Sequence, residues 1–191
     1  MTTLADVAQA RVGYTFRGSL KHADHGDIAV IQMKDITPQA LNQSEGLARV
    51  SLRNLSPHYL LQNGDLIFRS RGLNNQAWVY NLDQVPTICI APLIFIRILD
   101  QSQLLPGYLE WFINLEQTQM QIAGMARGET IAMISVATLH SLEIALPPLA
   151  RQKKITEIHQ LFRQSQVLEE KLAQKRLQYT QTALLQFAYG R

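Results

Sequence analysis

The sequence predicts an α+β fold: a globular domain of mixed strands and helices over residues 1 to 146, followed by one long C-terminal helix over 147 to 191. Two observations carry this. Residues Leu149 to Tyr189 contain neither Gly nor Pro and are rich in Gln, Leu, Ala, Lys, Arg and Glu, all good helix formers. Upstream, short apolar runs separated by Gly, Pro and Asn turn signals recur with few helical stretches between them.

Thr2 or Thr3 can cap a short helix reaching about Ala10, with Leu4, Val7 and Ala8 on one side and Gly13 beyond its end. Ser19 to Asp27 is a polar loop, preceded by Arg17 and carrying Lys21, His22 and His25. His22, Asp24 and His25 could be drawn as metal ligands, yet no further ligand follows at a usable spacing, so no metal is expected. Ile28 to Met33 is a nearly unbroken apolar run suited to a strand buried on both faces, and Lys34-Asp35-Ile36 leads out of it. Ala48 to Leu52 alternates like a half-exposed strand.

Gly64-Asp65 provides a turn, Leu66 to Phe68 a core strand and Gly72 a break. Alternation points Arg69 and Arg71 the same way: two guanidinium forks that are either the wet end of a strand or contacts for phosphate or guanine. Asn74, Asn75 and Gln76 follow, amides able to pair with adenine and equally common as loop filler. Ala77 to Leu82 and Thr87 to Leu99 read as strands, the second interrupted at Pro92. Pro106-Gly107 opens a helix whose Leu109, Phe112, Ile113, Met120 and Ala123 form a core stripe up to Gly124. Ala126 to Thr130 is a second polar loop, with Arg127 and Thr130 able to meet phosphate, and Leu139 to Leu146 returns as a strand.

Pro147 and Pro148 suit the start of the terminal helix, whose first amides have no partner to lose, and Gly190 suits its end. At 1.5 Å per residue this helix is roughly 60 Å long. Ile158, Leu161, Leu168, Leu172 and Tyr179 fall at spacings of three, four and seven, a coiled-coil seam interrupted by Ser165, Lys175 and Thr182 and widened by Ile155, Phe162 and Ala183. The seam packs either on the chain's own domain or on a helix of another chain, most simply a second copy.

The net charge of +3 divides unevenly: residues 151 to 191 hold eight Lys or Arg against three Glu, whereas residues 1 to 150 hold ten basic against twelve acidic groups, a net −2. No run approaches the ~18 apolar residues of a membrane span and no signal-peptide pattern opens the chain, so a cytoplasmic location is expected. The single Cys89 excludes an internal disulfide and reads as a small core residue.

Several stretches taken together resemble a known family: Gly13-Tyr14-Thr15-Phe16-Arg17-Gly18, Val30-Ile31-Gln32-Met33-Lys34-Asp35-Ile36, Gly64 through Gly72, Tyr108-Leu109, Ala123-Gly124, and Leu146-Pro147-Pro148-Leu149-Ala150-Arg151-Gln152-Lys153-Lys154-Ile155 ahead of the long helix. In this order they are similar to one half of a type I restriction-modification specificity subunit. Arg151 stands where that family usually has an acidic residue.

The resemblance implies a target recognition domain at 1–146 that reads one half of a split duplex DNA site, and a spacer helix that pairs as a coiled coil. Full-length subunits carry two such domains and two helices; one of each here implies a homodimer or a truncated copy. The resemblance further implies a partner adenine methyltransferase subunit and, through it, a restriction nuclease subunit. No cofactor loop, methylase signature or phosphate-binding loop is present, so no cofactor and no catalysis are expected of this chain itself.

Arg17, Lys21, Lys34, Arg69, Arg71, Arg127 and Thr130 are the candidate phosphate contacts, and Asn74, Asn75 and Gln76 the candidate base readers. Two alternatives stay open. One is an assembly or regulatory protein that binds the methyltransferase through the helix without reading DNA. The other is a nuclease built on Glu169 and Lys171, which on a helix read more simply as surface charges.

Overall fold

The structure is a computed structural model that describes residues 2–16, 18, 26–36, 46–72, 75–82, 85–125 and 133–190. Arg17, Lys21, Asn74, Arg127 and Thr130 lie outside the described residues, as do His22, Asp24 and His25.

The chain opens with β1 (Thr2–Thr3) and a single helical turn, α1 (Leu4–Val7). Thr3 stands at the N-cap position, and Asp6 accepts both its backbone N–H and its hydroxyl, at 2.7 and 2.8 Å. The helix does not continue to Ala10. Ala8–Val12 is instead strand β2, antiparallel to β8 (Leu93–Ile98) from Ala8↔Ile98 to Val12↔Ile94. The segment's small apolar residues suit either period, and backbone pairing with a buried strand outweighs the weak helical pattern.

Strands β3 (Ile28–Ile31), β4 (Ala48–Val50) and β7 (Thr87–Cys89) form one three-stranded sheet, with β3 central, antiparallel to β4 and parallel to β7. Strands β2, β8 (Leu93–Ile98), β5 (Leu66–Arg69) and β6 (Ala77–Val79) form a second, antiparallel sheet in that order. All four residues of β3 are buried, as its unbroken apolar run requires. Ala29 and Ile31 join Ile67, Trp78, Leu93 and Phe95 in a core shared with the other sheet. Ile28 and Val30 pack with Val50 and Ile88 beneath Tyr14, Phe16 and Tyr59.

The apolar stretch 87–99 is two strands in two different sheets, divided at the cis Ala91-Pro92 bond. At the crossing, Gly13 lies so close to the Cys89 carbonyl that a β-carbon there would sit 2.6 Å from its oxygen, which only glycine permits. At the entry to β5, Asp65 is 2% exposed and paired with Arg97 of β8 at 2.6 and 2.9 Å; Arg97 also reaches the Leu60 carbonyl at 2.8 Å.

The helix opened by Pro106 breaks at Leu115 into α2 (Pro106–Asn114) and α3 (Glu116–Met125). The break rotates the buried face. Leu109 and Ile113 are core residues as expected, whereas Met120 and Ala123 are exposed and Thr118 and Ile122 are buried instead. Residues 139–146 are not one strand. Ser135 caps a short helix, α4 (Val136–His140), by accepting the Thr138 N–H at 3.0 Å, and only Glu143–Ile144 (β9) pairs, with β1. Ala77–Leu82 likewise contributes only the three residues of β6 to a sheet.

The terminal helix α5 runs Leu149–Tyr189 and ends at Gly190, whose φ of 63° is the left-handed value glycine adopts at helix ends. Two compact units result, Met1–Gln152 and Lys153–Arg191, so the first turn of α5 belongs to the globular unit. Gln152, fully buried, fastens it there: its side-chain oxygen accepts the Leu105 N–H at 2.9 Å, and its amide nitrogen donates to the carbonyls of Gln103 and Pro147 at 2.8 and 2.9 Å.

Candidate nucleic-acid interface

The described candidate contacts gather around the C-terminal end of β5. The exit from β3 is a 3-10 turn, Met33–Asp35, closed by the Gln32 N–H donating to the Asp35 carboxylate at 2.9 Å and the Asp35 N–H donating to the Gln32 carbonyl at 3.0 Å. Lys34, the middle residue of that turn, is exposed. Arg69 ends β5, and its guanidinium turns inward: Nη2 donates to the carbonyls of Met33 at 3.3 Å and Ile36 at 3.2 Å, and the cation lies 5.8 Å from the centre of the Trp78 ring.

Ser70 donates its hydroxyl to the Pro92 carbonyl, while its own carbonyl accepts the Ile134 N–H at 2.9 Å. Arg71 forms an isolated bridge with Met133 and is exposed, and Gly72 follows with φ 106°, a backbone value that favours glycine. The segment 133–134 is therefore tied to the start of this loop.

The far side of the same loop is clamped by amides. Asn75, 8% exposed, donates its side-chain nitrogen to the Arg69 carbonyl at 2.9 Å, and the Arg69 N–H donates to the Gln76 carbonyl at 3.0 Å. Gln119 of α3 donates to the carbonyls of Asn75 and Ile113 at 2.7 and 2.8 Å. Asn114 of α2 accepts the Ala77 N–H at 2.8 Å and donates to the Ala77 carbonyl at 2.7 Å.

Lys34, Arg71 and Gln76 thus present exposed polar side chains, whereas Arg69 and Asn75 spend theirs inside the fold. Ser70, Asn114 and Gln119 had no signal in the sequence, because an amide on a helix or a hydroxyl in a strand looks the same with or without a loop to hold. Among the described residues no cluster of His, Cys, Asp and Glu could hold a metal. Burial pushes the Cys89 thiol up to about 12, the behaviour of a packed and unreactive cysteine.

On α5, Ile155 is half-buried and Ile158, Leu161, Phe162, Leu168, Leu172 and Tyr179 are exposed, from 51% at Leu172 to 77% at Tyr179. Leu177, Leu184 and Phe187 are exposed as well; at 100° per residue Leu177 and Leu184 fall on the side opposite Leu168, Leu172 and Tyr179, and Phe187 falls between the two.

The family model described as "Type I restriction modification DNA specificity domain" matches residues 1–175. Among solved structures, the chain is similar to the HsdS subunit from Thermoanaerobacter tengcongensis, with a TM-score of 0.63 and 18% identity over 86% of this chain and 37% of that one. It is also similar to the type I restriction-modification S subunit from M. genitalium, with a TM-score of 0.55 and 16% identity over 85% and 38%. A third similar chain belongs to a structure titled for complex assembly and conformational transition of the type I restriction-modification system; its TM-score is 0.62 and its identity 20% over 91% and 40%. The chain therefore spans about two fifths of the length of the solved chains it resembles. No curated protein gives a significant match.

Proposed function

This chain belongs to the type I restriction modification DNA specificity family, and on that premise we propose that it reads a duplex DNA sequence and directs a partner adenine methyltransferase, with its nuclease, to that site. The family is one of recognition rather than catalysis. The observation that carries the reading is the extent of the family match: it runs through the whole globular unit and into the terminal helix.

The exposed residues around the end of β5 suit this role. Lys34 and Arg71 contact phosphate and fix the register, and Gln76 reaches a base edge. Arg17, Lys21, Asn74, Arg127 and Thr130 complete the contact set on the strength of the sequence. The exposed seam on α5 clasps a second copy, and two identical readers related by a two-fold axis take an inverted, interrupted DNA motif. The complex acts in the cytoplasm; among the described residues no helix is long and apolar enough to cross a membrane.

Mapping methylated adenines in cells that carry the chain with its methyltransferase tests the whole reading. An inverted, interrupted motif is expected, and methylation without any such motif would refute it. A second reading, an assembly or regulatory protein that holds the methyltransferase but reads no DNA, is favoured by the net −2 charge of residues 1 to 150. Recovery of the methyltransferase by pull-down from a complex that methylates nothing would establish it.

A further inference from the structure

We infer that Arg69 is a positioning residue: it holds the Lys34 turn in place against β5, and so sets where Lys34 meets the DNA backbone. This rests on the DNA-reading function proposed above and assigns to Arg69 a part different from phosphate contact.

The guanidinium of Arg69 donates to two backbone carbonyls. Its two acceptors, the carbonyls of Met33 and Ile36, lie on either side of Lys34-Asp35, so one cation grips the turn at both ends. The charge lies over Trp78, itself only 7% exposed, and the buried Nε has no hydrogen-bond partner among the described residues. A residue that reached out to phosphate would leave those carbonyls and that ring behind.

The backbone of Arg69 is equally committed. Its N–H is held by the Gln76 carbonyl and its carbonyl by the Asn75 side-chain amide, neighbouring residues just ahead of β6. Arg69 thus stands on a rigid base in the four-stranded sheet and reaches to the turn that leaves the three-stranded sheet. With Arg71 two residues on and exposed, a single position references both described basic candidates, Lys34 and Arg71, to the same strand.

The test is a double-mutant cycle between Arg69→Met and Lys34→Met in the full chain, read on a pool of duplex DNA of randomised sequence across a series of salt concentrations. Methionine keeps an unbranched apolar side chain and removes the bonds. Acting through Lys34 predicts non-additivity: each single variant and the double variant lower the slope of log affinity against log salt by about 0.9, the worth of one phosphate contact. Adding Arg71→Met to any of them lowers it by a further ~0.9. Hydrogen exchange supplies a reading that needs no DNA, and Arg69→Met is expected to accelerate exchange at the Gln32 and Asp35 amides that close the turn.

Losses that multiply, with a slope lower by about 1.8 in the double variant, would make Arg69 a phosphate contact in its own right and overturn the inference. Unchanged exchange at Gln32 and Asp35 would overturn it too. If the unaltered chain shows no salt-dependent DNA binding, the DNA-reading function itself fails and takes the inference with it, an outcome distinct from additivity in a chain that binds.

Discussion

Replacing Gln152 tests how the first turn of α5 is fastened within the globular unit. The side chain is fully buried and makes three hydrogen bonds to backbone groups of Leu105, Gln103 and Pro147, whose partners settle which end of the amide is oxygen and which nitrogen. Gln152→Met keeps the volume and removes all three bonds. At a net ~1 kcal/mol each, the loss is about 3 kcal/mol.

Gln152→Ala also gives up buried methylenes worth roughly 0.8 kcal/mol apiece, bringing the cost to about 4–5 kcal/mol. Gln152→Glu keeps the acceptor for the Leu105 N–H but turns anionic oxygen toward two carbonyls, and should be less stable than the methionine variant. For a unit of this size, 1 kcal/mol moves the midpoint by roughly 2–4 °C, so Gln152→Met should melt about 6–12 °C lower. Near-ultraviolet circular dichroism reads Trp78 and Trp111, both in the globular unit, and separates its melting from that of the helix. A methionine variant that melts with the parent would refute the assignment of Gln152 as the fastening residue.

Four further outcomes are expected. Arg97→Ala strands the buried Asp65 carboxylate and should cost about 3 kcal/mol in urea unfolding, the low end of such losses because the arginine side chain is 27% exposed; no change in midpoint would contradict the pairing. The bonds from the Thr3 N–H and hydroxyl hold the Asp6 carboxyl below its ordinary 3.8, so its contribution to the first helical turn is complete above that value and fades as pH falls through the lowered one; a site-resolved titration with a midpoint at or above 3.8 would disprove this. With its thiol pushed up to about 12, Cys89 should resist alkylation at neutral pH until denaturant is added, and rapid reaction of the folded chain would show that the site opens. Leu168→Lys combined with Leu172→Lys should convert a self-associated chain to monomer in sedimentation without loss of helix content, whereas an unchanged mass would remove the seam from self-association.

The ends of α5 were legible because proline, glycine and their absence act locally: nothing distant competes with a Pro-Pro start and a run free of breakers. β3 was legible for the same reason, its apolar residues having only buried faces to occupy. Ala8–Val12 was not, since two periods fit it and the deciding partner, β8, lies far along the chain. The exposure of Met120 followed from one break at Leu115 that leaves no Gly or Pro as a marker.

At the candidate interface the sequence singled out Gly64 through Gln76 from its turn residues and charges. It could not divide Arg69 from Arg71, because which guanidinium turns inward depends on the carbonyls of Met33 and Ile36, more than thirty residues earlier. Asn114 and Gln119 were invisible for a similar reason, their partners being backbone groups of another element.

The chain passes between its three-stranded and four-stranded sheets four times: from β2 to β3, β4 to β5, β6 to β7 and, by three residues, β7 to β8. The sheets are stitched together rather than hinged, and severing a single connection leaves the other crossings intact. A nick in the segment between β3 and β4 should therefore yield two fragments that stay mated through β3 against β7 and β2 against β8, and that find each other again after separation.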